Sequence, residues 1–160
     1  MDKEIEVTFG TGKGQTELSA FDAALFDAGI GNYNLLHLSS VIPTGHTPII
    51  KKVNYNYSGE FGHKMFCVLS ERRESRIGYE AWAGLGWVTT IESPTRGIFV
   101  EHIGESEQGV VDAITKSLTS MVTYRKETFG PIQHKVVGIM CEADPVCALV
   151  AAVYSREGWE

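Results

Sequence analysis

Ile5, Val7 and Phe9 alternate with polar residues, a period of two that predicts a strand with one buried face. The glycines of Gly10-Thr11-Gly12-Lys13-Gly14 are expected to end it. From Leu18 the spacing changes. Phe21, Leu25 and Ala28 recur at helical intervals, Ala23, Ala24 and Phe26 fill between them, and Gly29 stands where a left-handed cap would. This predicts a helix of about three turns. Residues 34–38 read as a second strand, which Ser39, Ser40, Val41, Ile42 and Pro43 follow into a loop. Residues 44–63 are rich in Gly, Pro, Asn and Tyr, show no period and read as irregular.

Three strand-like runs come next, at 64–69, 78–91 and 97–103. The middle run is broken by Gly84 and Gly86, which suggests a bulge or a close backbone approach. Ser106 is placed to cap a second helix whose Val110, Val111, Ile114, Leu118, Met121 and Val122 form one apolar stripe. Glu105 and Glu107 lie at its start and Arg125 and Lys126 at its end, the arrangement that the helix dipole favours. Residues 134–142 and 146–154 read as two closing strands. Strands outnumber helices and do not alternate with them, so a mixed α/β sandwich is expected and a doubly wound parallel sheet is not.

At 160 residues and 43% hydrophobic, the chain is long enough for a single domain that buries about two thirds of its unfolded surface. A net charge of −6 leaves no basic excess for phosphates, which argues against nucleic acid and anionic membrane as partners. The three cysteines, Cys67, Cys141 and Cys147, cannot all pair within one chain and have no ligand spacing, so a reducing, cytoplasmic setting is expected. The start is charged from Asp2 onward, and no apolar run approaches the roughly 18 residues of a spanning helix. Neither a targeting peptide nor a membrane anchor is expected.

Several local signals fail as chemistry. The glycines at 10, 12 and 14 follow a strand and precede a helix, but a phosphate-binding loop needs Ser or Thr after its lysine and Lys13 is followed by Gly14. The five histidines lack ligand spacing, and no metal site is expected. His102 beside Glu101 suggests an acid/base pair, yet neighbours on a strand point to opposite faces. No G-x-S-x-G elbow presents a serine nucleophile. Taken alone, Ser39-Ser40 reads as a strand end whose hydroxyls bond local backbone.

Its surroundings change that reading. F-D-A-A-L at 21–25, A-G-I-G-N-Y-N-L at 28–35 and S-S-V-I-P at 39–43 resemble the pyruvoyl-dependent arginine decarboxylase family, as do G-I-F-V-E at 97–101 and the Ala-rich run at 148–154. Together these cover about half the chain, while the segment 44–96 looks divergent. The resemblance implies a four-layer α/β/β/α sandwich that cuts itself between Ser39 and Ser40 into 1–39, the β chain, and 40–160, the α chain. Ser40 then becomes a covalent N-terminal pyruvoyl group, with no metal and no pyridoxal phosphate required. A strained turn after the second strand would favour the attack, and Gly29 and Gly31 would allow a tight approach to it.

The implied reaction takes L-arginine to agmatine and CO2 through a Schiff base on the pyruvoyl ketone, serving polyamine synthesis or proton consumption. Glu101 matches the family's proton donor, a role in turnover and not in maturation, and it suits this if Ile98, Phe99 and Val100 bury it. Asn34 matches a position near the reacting end of the substrate. Asp22 sits at the edge of the first helix's apolar stripe, beside Leu18, Leu25 and Phe26. Its plain reading is a surface aspartate, whereas the resemblance makes it the partner of the substrate guanidinium. Asp27 has no such match and is read as surface. Trimers or dimers of trimers, with sites at subunit interfaces, are implied as well. Two other readings stay open: the same chemistry on lysine, ornithine or another amino acid, and a non-catalytic small-ligand or nucleotide-binding module with Ser39-Ser40 intact.

Overall fold

The computed structural model describes residues 2–160. In chain order it forms β1 (Lys3–Lys13), α1 (Glu17–Asp27), β2 (Asn34–His37), β3 (Val41–Ile42), β4 (His46–Ile50), β5 (Lys64–Glu74), β6 (Glu80–Thr89) and β7 (Gly97–Gly104). Then follow α2 (Glu107–Met121) with a 3-10 turn at Val122–Tyr124, β8 (Gln133–Met140) and β9 (Val146–Glu157). The strands form two sheets, ordered β2-β5-β9-β1-β4 and β3-β7-β6-β8.

Side-chain alternation assigns each face a partner. From the first sheet, Ile5, Val7, Val68, Val150 and Ala152 meet Leu85, Trp87 and Phe99 of the second. The outer face of the first sheet takes α1 through Ala20, Ala24 and Leu25 against Met65, Cys67, Leu149 and Ala151. The outer face of the second takes α2 through Val110, Ile114 and Leu118. The layers are therefore α/β/β/α, as expected. Phe99 is 1% exposed and meets Trp87 edge-on at 5.7 Å between ring centroids. Burial of a side chain of that size contributes about 1.5–3 kcal/mol.

The Ser106 cap of α2 is the one expected. Ser106 Oγ accepts from Gly109 N at 3.0 Å, and Arg125 Nη1 donates to the Met121 carbonyl at 2.9 Å, satisfying one of the last carbonyls. Thr16 caps α1, its hydroxyl accepting from Ser19 N at 3.0 Å. Buried Thr8 joins that helix's far end to the sheet, donating to the Ala28 carbonyl at 2.6 Å and accepting from Val53 N at 3.2 Å.

Two expectations are corrected. β1 does not end at its glycines but runs through Gly10 and Gly12 to Lys13. These glycines seat α1: a Cβ on Gly12 would stand 2.4 Å from the Ala24 nitrogen. The segment 44–63 is not wholly irregular either, because β4 pairs in parallel with β1, from Lys3 opposite His46 to Val7 opposite Ile50. Pro48 hides this strand from pattern reading, and β4 tolerates it because it lies at the sheet edge. Gly84 and Gly86 do mark a close approach: a Cβ on Gly86 would lie 2.1 Å from Ile114 Cγ2 of α2.

Candidate active site

The serine pair lies where the chain changes sheets. β2 belongs to the first sheet and β3 to the second, so the three residues between them cross the sandwich. Leu38 N still donates to the Cys67 carbonyl at 2.9 Å, continuing the β2 pairing. At Ser40 the chain is already held by the second sheet, since Phe99 N donates to the Ser40 carbonyl at 2.8 Å and Val41 pairs with Ile98. Ser39 spans the gap between two anchored ends. Ser40 absorbs the change of direction at φ +79°, a left-handed conformation that costs an L-residue roughly 1–2 kcal/mol. Strain of this kind persists where the surroundings enforce it.

Two residues beyond buried Phe99 on β7, Glu101 shares its face, towards the interior of the sandwich. Ser40 Oγ donates to Glu101 Oε2 at 2.9 Å. The chain opposite β7 pairs only with Gly97 and Ile98, so the strand's outer edge is open beyond Phe99. Glu101 is consequently exposed in the single chain, and its expected burial among Ile98, Phe99 and Val100 is not found. His102 faces the other way, as expected, with Nε2 2.7 Å from Ser117 Oγ on α2.

Asn34 and Asp22 are not brought to this pair within one chain. Asn34 begins β2, at the far end of an extended strand from the serines, and its Nδ2 donates to the Gly62 carbonyl at 2.9 Å. Asp22 is exposed on α1, across the first sheet from the interior that Phe99 faces. Gly29 and Gly31 do not serve the serine turn. Gly29, at φ +79°, lies against the Val53 carbonyl, and Gly31 lies under the Phe26 ring. Asp27 is exposed as expected, but it accepts from Thr11 N at 2.9 Å and pairs with Lys52 at 3.1 Å.

Sequence reasoning missed Tyr154. It sits on β9 in the first sheet, reaches across to donate to the Val41 carbonyl at 2.8 Å, and packs on Phe99 at 6.2 Å between centroids. Burial, and secondarily the charge of Glu101, hold its phenol above the usual value, so it stays a donor. As the last aromatic of an Ala-rich strand it carries no local signal. Cys67 and Cys147 offer no competing nucleophile, because burial pushes their thiols up to about 12. Among the described residues no cluster of three or more His, Cys, Asp or Glu could hold a metal ion, and no helix is long and apolar enough to cross a membrane.

Residues 4–158 match the family of pyruvoyl-dependent arginine decarboxylases. The pyruvoyl-dependent arginine decarboxylase of Halobacterium salinarum is 33% identical over 124 residues, which cover 76% of this chain and 74% of that protein. That of Methanococcoides burtonii is 29% identical over 158 residues, 98% of this chain and 81% of its own. A solved structure of a pyruvoyl-dependent histidine decarboxylase matches 57% of this chain and 50% of that one, at a TM-score of 0.44 and 15% identity. The family match and the relatives together define a pyruvoyl-dependent decarboxylase, an enzyme whose electron sink is a covalent pyruvoyl group. Within that class the chain belongs to the pyruvoyl-dependent arginine decarboxylase family. Its residues fit such a group, since Ser40 has its hydroxyl on a carboxylate and its carbonyl on a backbone N–H.

Proposed function

We propose that this chain cleaves itself between Ser39 and Ser40 and that the processed enzyme converts L-arginine to agmatine and CO2. The observation that carries the reading is the strained Ser40 with its hydroxyl hydrogen-bonded to Glu101. In this reading Glu101 accepts the hydroxyl proton as Oγ bonds to the Ser39 carbonyl carbon, a role supported by the 2.9 Å bond between them. The Ser39–Ser40 C–N bond then breaks, and the Ser40 nitrogen takes up a proton. Loss of the residue 40 Cα proton to a base, with breakage of its Cβ–O bond, releases the Ser39 carboxylate and leaves dehydroalanine, which one water converts through its imine tautomer to the ketone with loss of ammonia. Each cleavage adds one carboxylate and no amine, so the net charge of −6 becomes −7.

When formed, the group supplies a ketone that captures the substrate amine and withdraws electrons from the bond to CO2. Glu101 then holds the proton that replaces the lost carboxylate. Asn34 and Asp22, remote from Ser40 in their own chain, complete the site of a neighbouring copy, Asn34 near the reacting end and Asp22 at the guanidinium. Trimers with interface sites meet this requirement.

The test is intact mass. Under denaturing conditions the purified protein gives two species, 1–39 and 40–160. Under native conditions they stay together, because β1 is enclosed between β9 and β4 and carries α1 with it. A full-length mass that persists on prolonged incubation would overturn the reading.

Substrate choice has its own test in Asp22→Asn. If a neighbouring copy covers Asp22, removing its charge breaks a buried pair with the guanidinium, at about 3–5 kcal/mol. That is a loss of roughly 10²- to 4 × 10³-fold in kcat/KM on arginine. Cleavage at Ser39 proceeds as before. Citrulline, which has no positive charge, loses much less between the two proteins. Equal losses on both substrates would show that Asp22 supports the pocket generally and does not read arginine.

A further inference from the structure

The left-handed turn at Ser40 must be held from both sides if its hydroxyl is to stay on Glu101. Upstream, the hold is the backbone bond from Leu38 to Cys67, and downstream it is the backbone bond from Phe99 to the Ser40 carbonyl. Both belong to their own sheets. The downstream side has a further tie of a different kind: the Tyr154 hydroxyl, rooted in the central region of the first sheet, grips the Val41 carbonyl of the second. It joins the two sheets one residue after Ser40. Its single hydroxyl proton is used on Val41, which leaves Glu101, on the same side, free to receive the proton of Ser40.

We propose that Tyr154 is a positioning residue for self-cleavage: by holding the Val41 carbonyl it keeps Ser40 in its left-handed turn with the hydroxyl on Glu101. The proposal rests on the self-cleavage reading above. Tyr154 touches neither the Ser39 carbonyl nor Ser40 Oγ through a hydrogen bond, so it acts through the backbone and not on the reacting atoms. Its ring is fixed by packing on Phe99, and burial beside Glu101 keeps the phenol protonated and donating.

Tyr154→Phe removes one oxygen and keeps the ring on Phe99. Freshly made wild type and variant are followed by denaturing mass over time, with the thermal unfolding midpoint measured on each. Loss of one neutral hydrogen bond on the turn slows appearance of the 40–160 piece by about 3- to 10-fold. The midpoint stays within a few degrees, and Tyr154→Leu, which also loses the ring, lowers it further. Hydroxylamine, which splits esters far faster than amides, identifies the affected step. With the acyl shift itself slowed, little ester accumulates and hydroxylamine barely accelerates cleavage. Cleavage of Tyr154→Phe at the wild-type rate, or rapid hydroxylamine splitting that reveals accumulated ester, would overturn the positioning role while leaving self-cleavage standing. An uncleaved wild type would overturn both.

Discussion

Replacing Ser40 by alanine is expected to leave one uncut 160-residue chain without decarboxylase activity. In the proposed self-cleavage the side chain supplies the attacking oxygen, and the Tyr154 hydroxyl nearby is engaged on the Val41 carbonyl. Ser39 precedes the bond to be cut, and Cys67, which lies nearest in the β2 pairing, is buried with its thiol pushed up to about 12. The fold should survive. The substitution deletes one hydrogen bond from a half-buried hydroxyl, a net contribution of about 0.5–1.5 kcal/mol. It leaves the Phe99 bond to the residue 40 carbonyl and the Val41–Ile98 pairing in place. Alanine tolerates the left-handed turn no better than serine, so Ser40→Gly, which removes that strain, is the companion variant. It should be equally uncut and slightly more stable. The checks are denaturing mass, CO2 release from labelled arginine and thermal unfolding. A variant that still splits after residue 39 would place the nucleophile elsewhere.

What the sequence made legible was local. The alternation of Ile5, Val7 and Phe9, the apolar stripe of α2 and the Ser106 cap depend on neighbours within a few residues, and the structure reproduces them. Gly10 and Gly12 were misread because their role is a contact with α1, which no pattern within the strand encodes. β4 was missed because its pairing partner, β1, lies some forty residues earlier, and Pro48 breaks the apparent propensity. The site divides in the same way. Ser39-Ser40 and Glu101 were reached by resemblance, not by any rule of spacing, since 61 positions separate the bonded pair. Tyr154 lies 113 positions from Val41, and the Ala-rich run that contains it gave the residue no role. The exposure of Glu101 follows from the short β3, whose two residues leave the edge of β7 open. The assembly proposed above would cover that edge and bring Asn34 and Asp22 of another copy to it.

The second large effect is expected at Glu101. The resemblance gives this residue to protonation in turnover alone, whereas the self-cleavage proposed above also uses its bond with Ser40 Oγ in the first step of maturation. Glu101→Gln separates charge from shape. The glutamine oxygen still accepts the Ser40 hydroxyl, so the turn is retained, but the amide cannot take the proton as Oγ attacks, nor give one to the substrate carbon. General acid–base assistance is typically worth about 10²- to 10⁴-fold. Both rates should therefore fall, and they must be measured apart. A time course of denaturing mass gives the cleavage rate, and CO2 release divided by the quantity of 40–160 piece gives turnover per processed site. Slow cleavage with near-normal turnover per site would confine Glu101 to maturation. Normal cleavage with turnover reduced by two orders of magnitude or more would return it to the role that the resemblance assigns. Near-normal values of both would remove it from the mechanism, leaving the 2.9 Å bond as a structural tie for the strained serine.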